Sequence, residues 1–599
     1  MNASPSPQNL SPPATSHFAV ASISAVAIAL GVAAGLVAPA LTHLIGLVTN
    51  LAFYGRFSTA FSSPSENHLG LGVILIPVIG GLIVGLMARF GSKAIRGHGI
   101  PEAMEQVLEN NSRMPARITL LKPVSAAIAI GTGGPFGAEG PIIATGGALG
   151  SVVGQALSTT AAERKTLLAA GAAAGMAAIF GSPISAVLLA VELLLFEYRA
   201  RSLIPVALAS VAAAGMRIHF EGAAAIFAMP NVAPVSLISL GLYAVIGLIL
   251  GVASVGVTRT VYWIEDRFEH LPIHWMWWPA IGGIAVGLIG YVAPRTLGVG
   301  YNNISDMLSG RLPLQAMAFL CALKFVSWAI ALSSGTSGGT LAPLLTIGGG
   351  AGGLTGAFLL WLAPASGLDM RMAALVGMAA MFAGASRALL ASVVFAFETT
   401  LQPNGLLPVL AGSTLAFFVA RLLMENSIMT EKIARRGLRI PQDYDADALA
   451  RTPVSEIMDE KVKTLPATGA VAELADQIAR HDPAVSAYQA WPLVDAAGQL
   501  AGIITRSDLL RAIAASGGRE MTLIAAGNPA PVVAYPDESV SAAVARMLSH
   551  DVGRLPVVSR SNSKELLGYV SRTSLLSARL APHREETLRE DGWIRAWQR

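Results

Sequence analysis

Apolar residues fill the first 430 positions in blocks too long for the helices of a soluble core. Ala19–Leu36 (AVASISAVAIALGVAAGL) would span roughly 30 Å as a helix, the thickness of bilayer hydrocarbon. Similar runs at Leu69–Met87, Leu237–Val257, Trp278–Val292 and Leu406–Leu423 predict further spanning helices, and the sequence between them is as apolar but cut by Gly and Pro. After Leu423 the pattern changes to a charged stretch, ENSIMTEKIARRGLRIPQDYDADALARTPVSEIMDEK, with no spanning run, which sets a domain boundary near residue 430. Two copies of a smaller unit follow, WPLVDAAGQLAGIITRSDLLRA (Trp491–Ala512) and LPVVSRSNSKELLGYVSRTSLLSA (Leu555–Ala578). Each reads as strand, polar turn, strand and helix start.

The membrane part repeats itself as well. LKPVSAAIAIGTGGPFGAEGP (Leu121–Pro141) returns without a gap as LKFVSWAIALSSGTSGGTLAP (Leu323–Pro343), identical at about half its positions. GMAAIF (Gly175–Phe180) returns as GMAAMF (Gly377–Phe382), and each copy then runs to a lone acid, Glu192 or Glu398. Two halves, about 18–220 and 230–430, therefore build the domain. Repeated halves with Gly- and Pro-interrupted apolar segments point to a transport site at the repeat interface, because irregular backbone survives in a membrane only where it lines a cavity or is buried in protein. The glycines let backbone amides turn inward, and Pro141 and Pro343 suit the first turns of helices whose positive ends favour an anion. Close helix packing through small residues is the alternative use of such glycines. In the first loop stands one carboxylate, Glu139, replaced in the second copy by Leu341. An ionisable group inside a membrane is a functional candidate by default, and capping of a helix N-terminus is its structural alternative.

Composition narrows the class. Hydrophobic residues make up 53% of the chain and charged residues 13%, where soluble proteins carry roughly 25% charged. The net charge of +4 is scattered and gives no reason to expect nucleic acid, and the single cysteine, Cys321, excludes an intramolecular disulfide. Residues 1–17 lack the basic start and cleavage site of a secretory signal and read as a short disordered cytoplasmic tail. GTGGPFG matches neither GxGxxG nor a P-loop, and the sequence holds no metal-ligand cluster or nucleophile triad, so an enzyme is not expected.

GHGIPEA (Gly97–Ala103), GAEGP (Gly137–Pro141) and GGTLAP (Gly338–Pro343) stand in the order and spacing of the GSGIP, GREGP and G-x-F-x-P motifs of one family. In these motifs the chain resembles the CLC chloride channels and proton-coupled chloride antiporters that carry a C-terminal pair of CBS domains, from about residue 20 onward. The resemblance implies an all-α polytopic membrane domain of two inverted repeats followed by an α/β tandem CBS domain. It implies a homodimer with one pore per subunit, multi-pass in the plasma (inner) membrane with the CBS pair cytoplasmic, moving chloride or a similar small anion. Glu139 takes the place of the gating glutamate. The anion-binding positions are His98, Gly99, Ile100, Gly137, Glu139, Gly140, Thr340, Leu341 and Met429.

Three departures bear on mechanism. His98 replaces the serine that contacts the central anion, and Met429 replaces the tyrosine near the last membrane helix, so both inner hydroxyls are missing. With an unperturbed pKa near 6.5, an imidazole there is expected to charge on inner acidification, packing or facing the inner vestibule being the alternative. Leu193 stands where the coupled exchangers carry an inner proton-relaying glutamate, although the preceding acid, Glu192, is present. Glu197 substitutes only if the helix continues toward the same water. This favours a channel-like conductor, with a proton-coupled antiporter as the alternative and a CBS-regulated divalent-cation channel as a remote third reading. Lys122 and Lys324, at equivalent repeat positions, are expected to make the potential near the Gly loops positive or to snorkel at helix ends, and Arg387 to be a helix partner.

The expected organisation is a tail (1–17), the membrane domain (18–430), a linker (431–450) and the CBS pair (451–599, with copies at about 451–515 and 521–580). In the CBS family an Asp after the second strand holds a ribose. The first copy supplies Thr505 and Asp508, whereas Ser574 replaces the acid in the second. One site for ATP or a related adenosine nucleotide is therefore implied, helix capping and dimer stabilisation being the alternatives. No cofactor is required.

Overall fold

The computed structural model describes residues 17–438, 452–486 and 488–576, with positions 449 and 593. The tail, most of the expected linker and the last residues of the chain lie outside the described residues. The chain divides into two compact units, 1–444 with 589–599, and 445–588.

In the first unit eight helices are followed by eight counterparts. The first set is α1 (His17–Tyr54), α2 (Leu75–Phe90), α3 (Ile100–Glu109), α4 (Ile118–Gly131), α5 (Glu139–Ala156), α6 (Ala161–Phe180), α7 (Pro183–Ala190) and α8 (Ala200–Glu221). The second is α9 (Leu237–Glu269), α10 (Trp278–Val292), α11 (Tyr301–Leu308), α12 (Leu314–Ser333), α13 (Leu341–Leu362), α14 (Met370–Ser386), α15 (Leu389–Thr400) and α16 (Leu406–Leu423), after which comes a short α17 (Glu431–Arg435). Among the described residues, eight helices are long and apolar enough to cross a membrane.

Two cavities reveal the direction of each helix. One, of about 470 Å³, is lined by Lys93 and Arg96 just after α2, Trp275 and Trp278 at the start of α10, and Ile118 and Lys122 at the start of α4. The other, of about 240 Å³, is lined by residues 61–66 before α2, Arg295–Tyr301 after α10, and Ile130 at the end of α4. Helix α2 thus runs from the second cavity to the first, whereas its repeat counterpart α10 runs the other way. Helix α4 enters at the first cavity, whereas α12 ends there with Leu332 and Ser333. The repeats are inverted, and the cavities open at opposite ends of the spanning helices. We call them the inner and outer cavity.

Small residues let the central helices touch backbone to backbone. A Cβ on Gly146 of α5 would strike the carbonyl of Gly171 on α6, and one on Gly377 of α14 would strike that of Gly348 on α13. The packing use of glycines is therefore present in these helices. The lone acids ending each half cap each other's neighbours. Glu192 accepts from the amides of Leu390 and Ala391 (2.9 and 3.0 Å), and Glu398 accepts from those of Ile184 and Ser185 (2.9 and 2.8 Å). Arg387, in a left-handed conformation, donates to the carbonyls of Met424 and Glu425 beyond α16, the partner role expected of it.

In the second unit each copy forms an antiparallel pair, β2 (Ala490–Val494) with β3 (Leu500–Thr505) and β4 (Arg554–Val558) with β5 (Leu566–Ser571), β1 (Leu465–Pro466) adding in parallel to β2. Both pairs shift register at the same place, after Leu493 and after Val557, as repeated strand–turn–strand sequences should. The N-terminal stretch of the unit belongs with the second copy rather than the first: Pro453 bridges to Ser539 and Asp459 to Tyr569, with Val454 in the second copy's core.

Candidate anion site between two cavities

Three loops that are distant in sequence meet at one point. Gly137 and Gly339 exchange backbone hydrogen bonds (3.0 and 3.3 Å), and Gly97 pairs with the 336–338 segment through the Thr336 carbonyl and the Gly338 amide. Ser125 ties the second loop from below, donating to the Ser337 hydroxyl. The approach is closer than any side chain allows. A Cβ on Gly140 would collide with the carbonyl of His98 and the Cα of Gly339, and one on Gly99, whose φ of +94° already favours glycine, with the carbonyl of Gly140.

Two turns are each held by a buried lysine. Lys122 donates to the carbonyls of Ile95 and Gly97 (both 2.9 Å), and Lys324 donates to those of Thr296 and Gly298 (2.9 and 2.7 Å). Neither snorkels: they are 1% and 0% exposed. They clamp the turns that lead into α3 and α11.

Glu139, the first residue of α5, is 0% exposed and lines neither cavity. Its Oε1 accepts from the Ala342 amide at 2.6 Å, in the first turn of α13, and its carboxylate folds back over Gly137, where any Cβ would overlap it. A carboxylate therefore sits where a helix N-terminus would hold an anion. The capping alternative is compatible with this geometry, since the carboxylate lies beside its own amide at the start of α5 and also reaches the first turn of α13 in the opposite repeat. Four buried polar atoms on the meeting loops and at the start of α11 have no hydrogen-bond partner: Glu139 Oε2, Thr340 Oγ1, the Tyr301 hydroxyl and His98 Nδ1. Because buried polar groups are nearly always satisfied, such a set fits a site for a small polar solute.

Of the expected anion-binding residues, His98, Gly99, Gly137, Glu139, Gly140, Thr340 and Leu341 come together here. Ile100 follows as the buried first residue of α3. Met429 is fully buried in the apolar core, and it is Ile428 that lines the inner cavity. Tyr262 of α9 also lines that cavity, but its hydroxyl donates to the Ile428 carbonyl at 2.8 Å.

His98 differs from expectation. It lies in the connection between α2 and α3, outside the spanning helices, and lines the inner cavity at 5% exposure. Burial pushes its imidazole down to about 4, with Glu102 opposing and Lys432 and Lys122 reinforcing the shift. The ring is neutral above about pH 5 and does not become the inner-pH-dependent cation that an unperturbed histidine would be. His98→Ser should thus leave the dependence of flux on inner pH unchanged between about pH 6 and 8, while the swap of ring for hydroxyl shifts the ranking of chloride, nitrate and bromide. Flux assays with the inner pH varied, and anion-competition assays, check the two halves of this statement.

Glu197 is also displaced. A π-turn over Val191–Leu195 ends the α7 segment, Phe196 is left-handed, and Glu197 accepts from Ser202 rather than continuing the helix. Leu193 is buried. Tyr301 was missed by the sequence reading, although GVG (Gly298–Gly300) echoes GHG (Gly97–Gly99) one residue short of the repeat offset and so points to its position. Arg96, stacked on Trp275 and Trp278 (4.8 and 5.5 Å) at the inner cavity, was missed too.

In the second unit, Thr505 and Asp508 form a capping box: Asp508 Oδ2 accepts from the Thr505 amide and hydroxyl (3.0 and 2.7 Å), and Thr505 Oγ1 accepts from the Asp508 amide. Ser571 and Ser574 make the same cap in the second copy. The local capping role applies to both copies, and Asp508 adds a charge to one.

Comparison with known proteins places these features among others. The "Voltage gated chloride channel" family model matches residues 80–421, and the "CBS domain" model matches 454–515 and 527–581. A chloride channel protein CLC-f of Arabidopsis thaliana is 30% identical over 374 residues, covering 58% of this chain and 47% of the plant protein, so the chain spans about half the length of that relative. A slow cyanobacterial Cl-/H+ antiporter superposes with a TM-score of 0.62 at 23% identity, over 69% of this chain and 97% of that one. A eukaryotic CLC transporter does so with 0.62 at 21%, over 93% and 99%.

Proposed function

We propose, from the premise that this chain belongs to the voltage gated chloride channel family and is an anion transporter of that kind, that it exchanges chloride or a similar small anion against protons, with Glu139 as the gate. The observation that carries this reading is the fully buried Glu139 carboxylate, seated on the Ala342 amide between cavities on opposite faces. An anion and this carboxylate compete for the same helix end, and proton uptake removes the competitor. Exchange is favoured over the passive conduction suggested by Leu193 because the site is closed on both sides by the crossed loops, and because the cyanobacterial neighbour is an antiporter. Passive conduction is the second reading, supported by the buried Leu193 and by Glu192 being occupied as a cap. Reconstituted protein in vesicles with a chloride gradient and no proton gradient decides between them: exchange drives protons uphill, and conduction does not.

The inner cavity faces the cytoplasm in this reading. Lys93, Arg96, Arg113 and Arg117 in connections, and Lys432, Arg435 and Arg436 in and just after the short α17, stand at that face, against Arg56, Arg295 and Arg311 at the other, as the positive-inside tendency asks. The CBS pair is cytoplasmic in this reading, and the protein works as a homodimer in the inner membrane. Adenosine nucleotide binding at Thr505 and Asp508 is expected to survive in the full-length protein and to be lost in Asp508→Ala. Calorimetry with millimolar ATP, showing no heat for the unaltered protein, would reduce the pair to a structural role.

A further inference from the structure

One of the four unpartnered atoms belongs to a residue that no motif marks. Tyr301 opens α11 just after Gly300, the position that Ile100 holds after Gly99 in the first repeat. Its ring packs against Phe180 and Phe227, centroids 6.0 and 5.7 Å away, both edge-on, so the phenol has little freedom. The hydroxyl lies beside the Ala138 amide and within the field of the Glu139 carboxylate, yet it makes no hydrogen bond of good geometry. Glu139 Oε2 is equally without a donor. A buried donor and a buried acceptor are each costly alone, and the cost is recovered where they meet. Tyr301 is anchored and lines the outer cavity, whereas the glutamate has three torsions to turn about, so the carboxylate is the part that moves.

We infer that Tyr301 is the outer positioning residue of the gate: when the Glu139 carboxylate leaves the Ala342 amide, the Tyr301 O–H donates to it, and the start of α13 is left to the anion. This rests on Glu139 being the gate. The charged groups around the pair are Lys324, clamped to the Gly298 carbonyl just before α11, and Glu66, Arg295, Asp306 and Arg311 lining the outer cavity, where Asp306 pairs with both arginines. All of them remain in each variant below.

The test is anion flux through the reconstituted full chain as a function of outer pH. A hydrogen bond to a charged group corresponds to about tenfold or more in an equilibrium. Tyr301→Phe, which keeps the ring, should therefore lower flux about tenfold at pH 7.5 and converge on the unaltered protein near pH 5, where a protonated carboxyl leaves without a donor. In a Glu139→Gln background the same substitution should change flux by less than about twofold, since no charge is left to receive. An unchanged pH profile in Tyr301→Phe, or an equal fall in both backgrounds, overturns the inference and leaves the ring a packing element. A Glu139→Gln protein that keeps the original pH profile overturns the gate itself, and this inference with it.

Discussion

Glu139→Gln should transport anions at a rate that no longer depends on pH and should move no protons against their gradient. The amide keeps the shape of the protonated acid and cannot ionise. A titrating carboxyl changes its minor protonation state about tenfold per pH unit away from its midpoint, so the unaltered protein should gain flux by about that order as pH falls through the range where the acid charges. The variant should give a flat profile. Gln cannot compete as an anion for the Ala342 amide, so its anion flux should equal or exceed that of the unaltered protein at pH 7.5. Paired measurements of chloride and proton flux from vesicles check both statements. Retained proton coupling in folded Glu139→Gln would remove this carboxylate from the mechanism.

Lys324→Met should have the largest effect on stability. The methionine side chain fills most of the lysine's volume, but it abandons the carbonyls of Thr296 and Gly298 in a place with 0% exposure. A buried carbonyl left without its donor costs about 1–3 kcal/mol, so the loss of two bonds should cost about 3 kcal/mol. The turn before α11 should loosen first, and Tyr301 with it. Thermal unfolding in detergent should show a drop of several degrees, and anion flux should fall because the turn that carries Tyr301 is no longer held. Lys122→Met should repeat the stability loss at the turn before α3. An unfolding temperature unchanged from that of the unaltered protein would mean that these carbonyls find other donors and that the clamp is dispensable.

The paired clamps show what a repeat in sequence can and cannot convey. Leu121–Pro141 and Leu323–Pro343 announce two equivalent structures, and the lysine shared by both is visible at once. Its role is not, because the carbonyls it binds lie some 25 residues earlier, in segments whose resemblance (GHG against GVG) is too short to notice alone. The same holds for Glu192 and Glu398. Each is legible as a lone acid, but only the crossing of α7 and α15 shows that each caps the other's helix.

Hydrophobic pattern, the gapless repeat and the abrupt charge after Leu423 were enough to determine the class of the protein: a spanning domain of two halves, two smaller strand–turn–strand units after it, and a carboxylate placed among glycines in an apolar setting. These features are local in the chain, since burial in lipid, tight turns and strand alternation are each imposed on neighbouring residues. The tertiary structure alone decided what that carboxylate touches, that His98 is too buried to charge near neutral pH, that Glu197 leaves the helix, and that Tyr301 stands beside Glu139. Glu197 leaves through a local π-turn that no pattern announces, and the others depend on atoms brought together from distant segments, where the desolvation and the partners of a polar group are set by residues up to about 330 positions away.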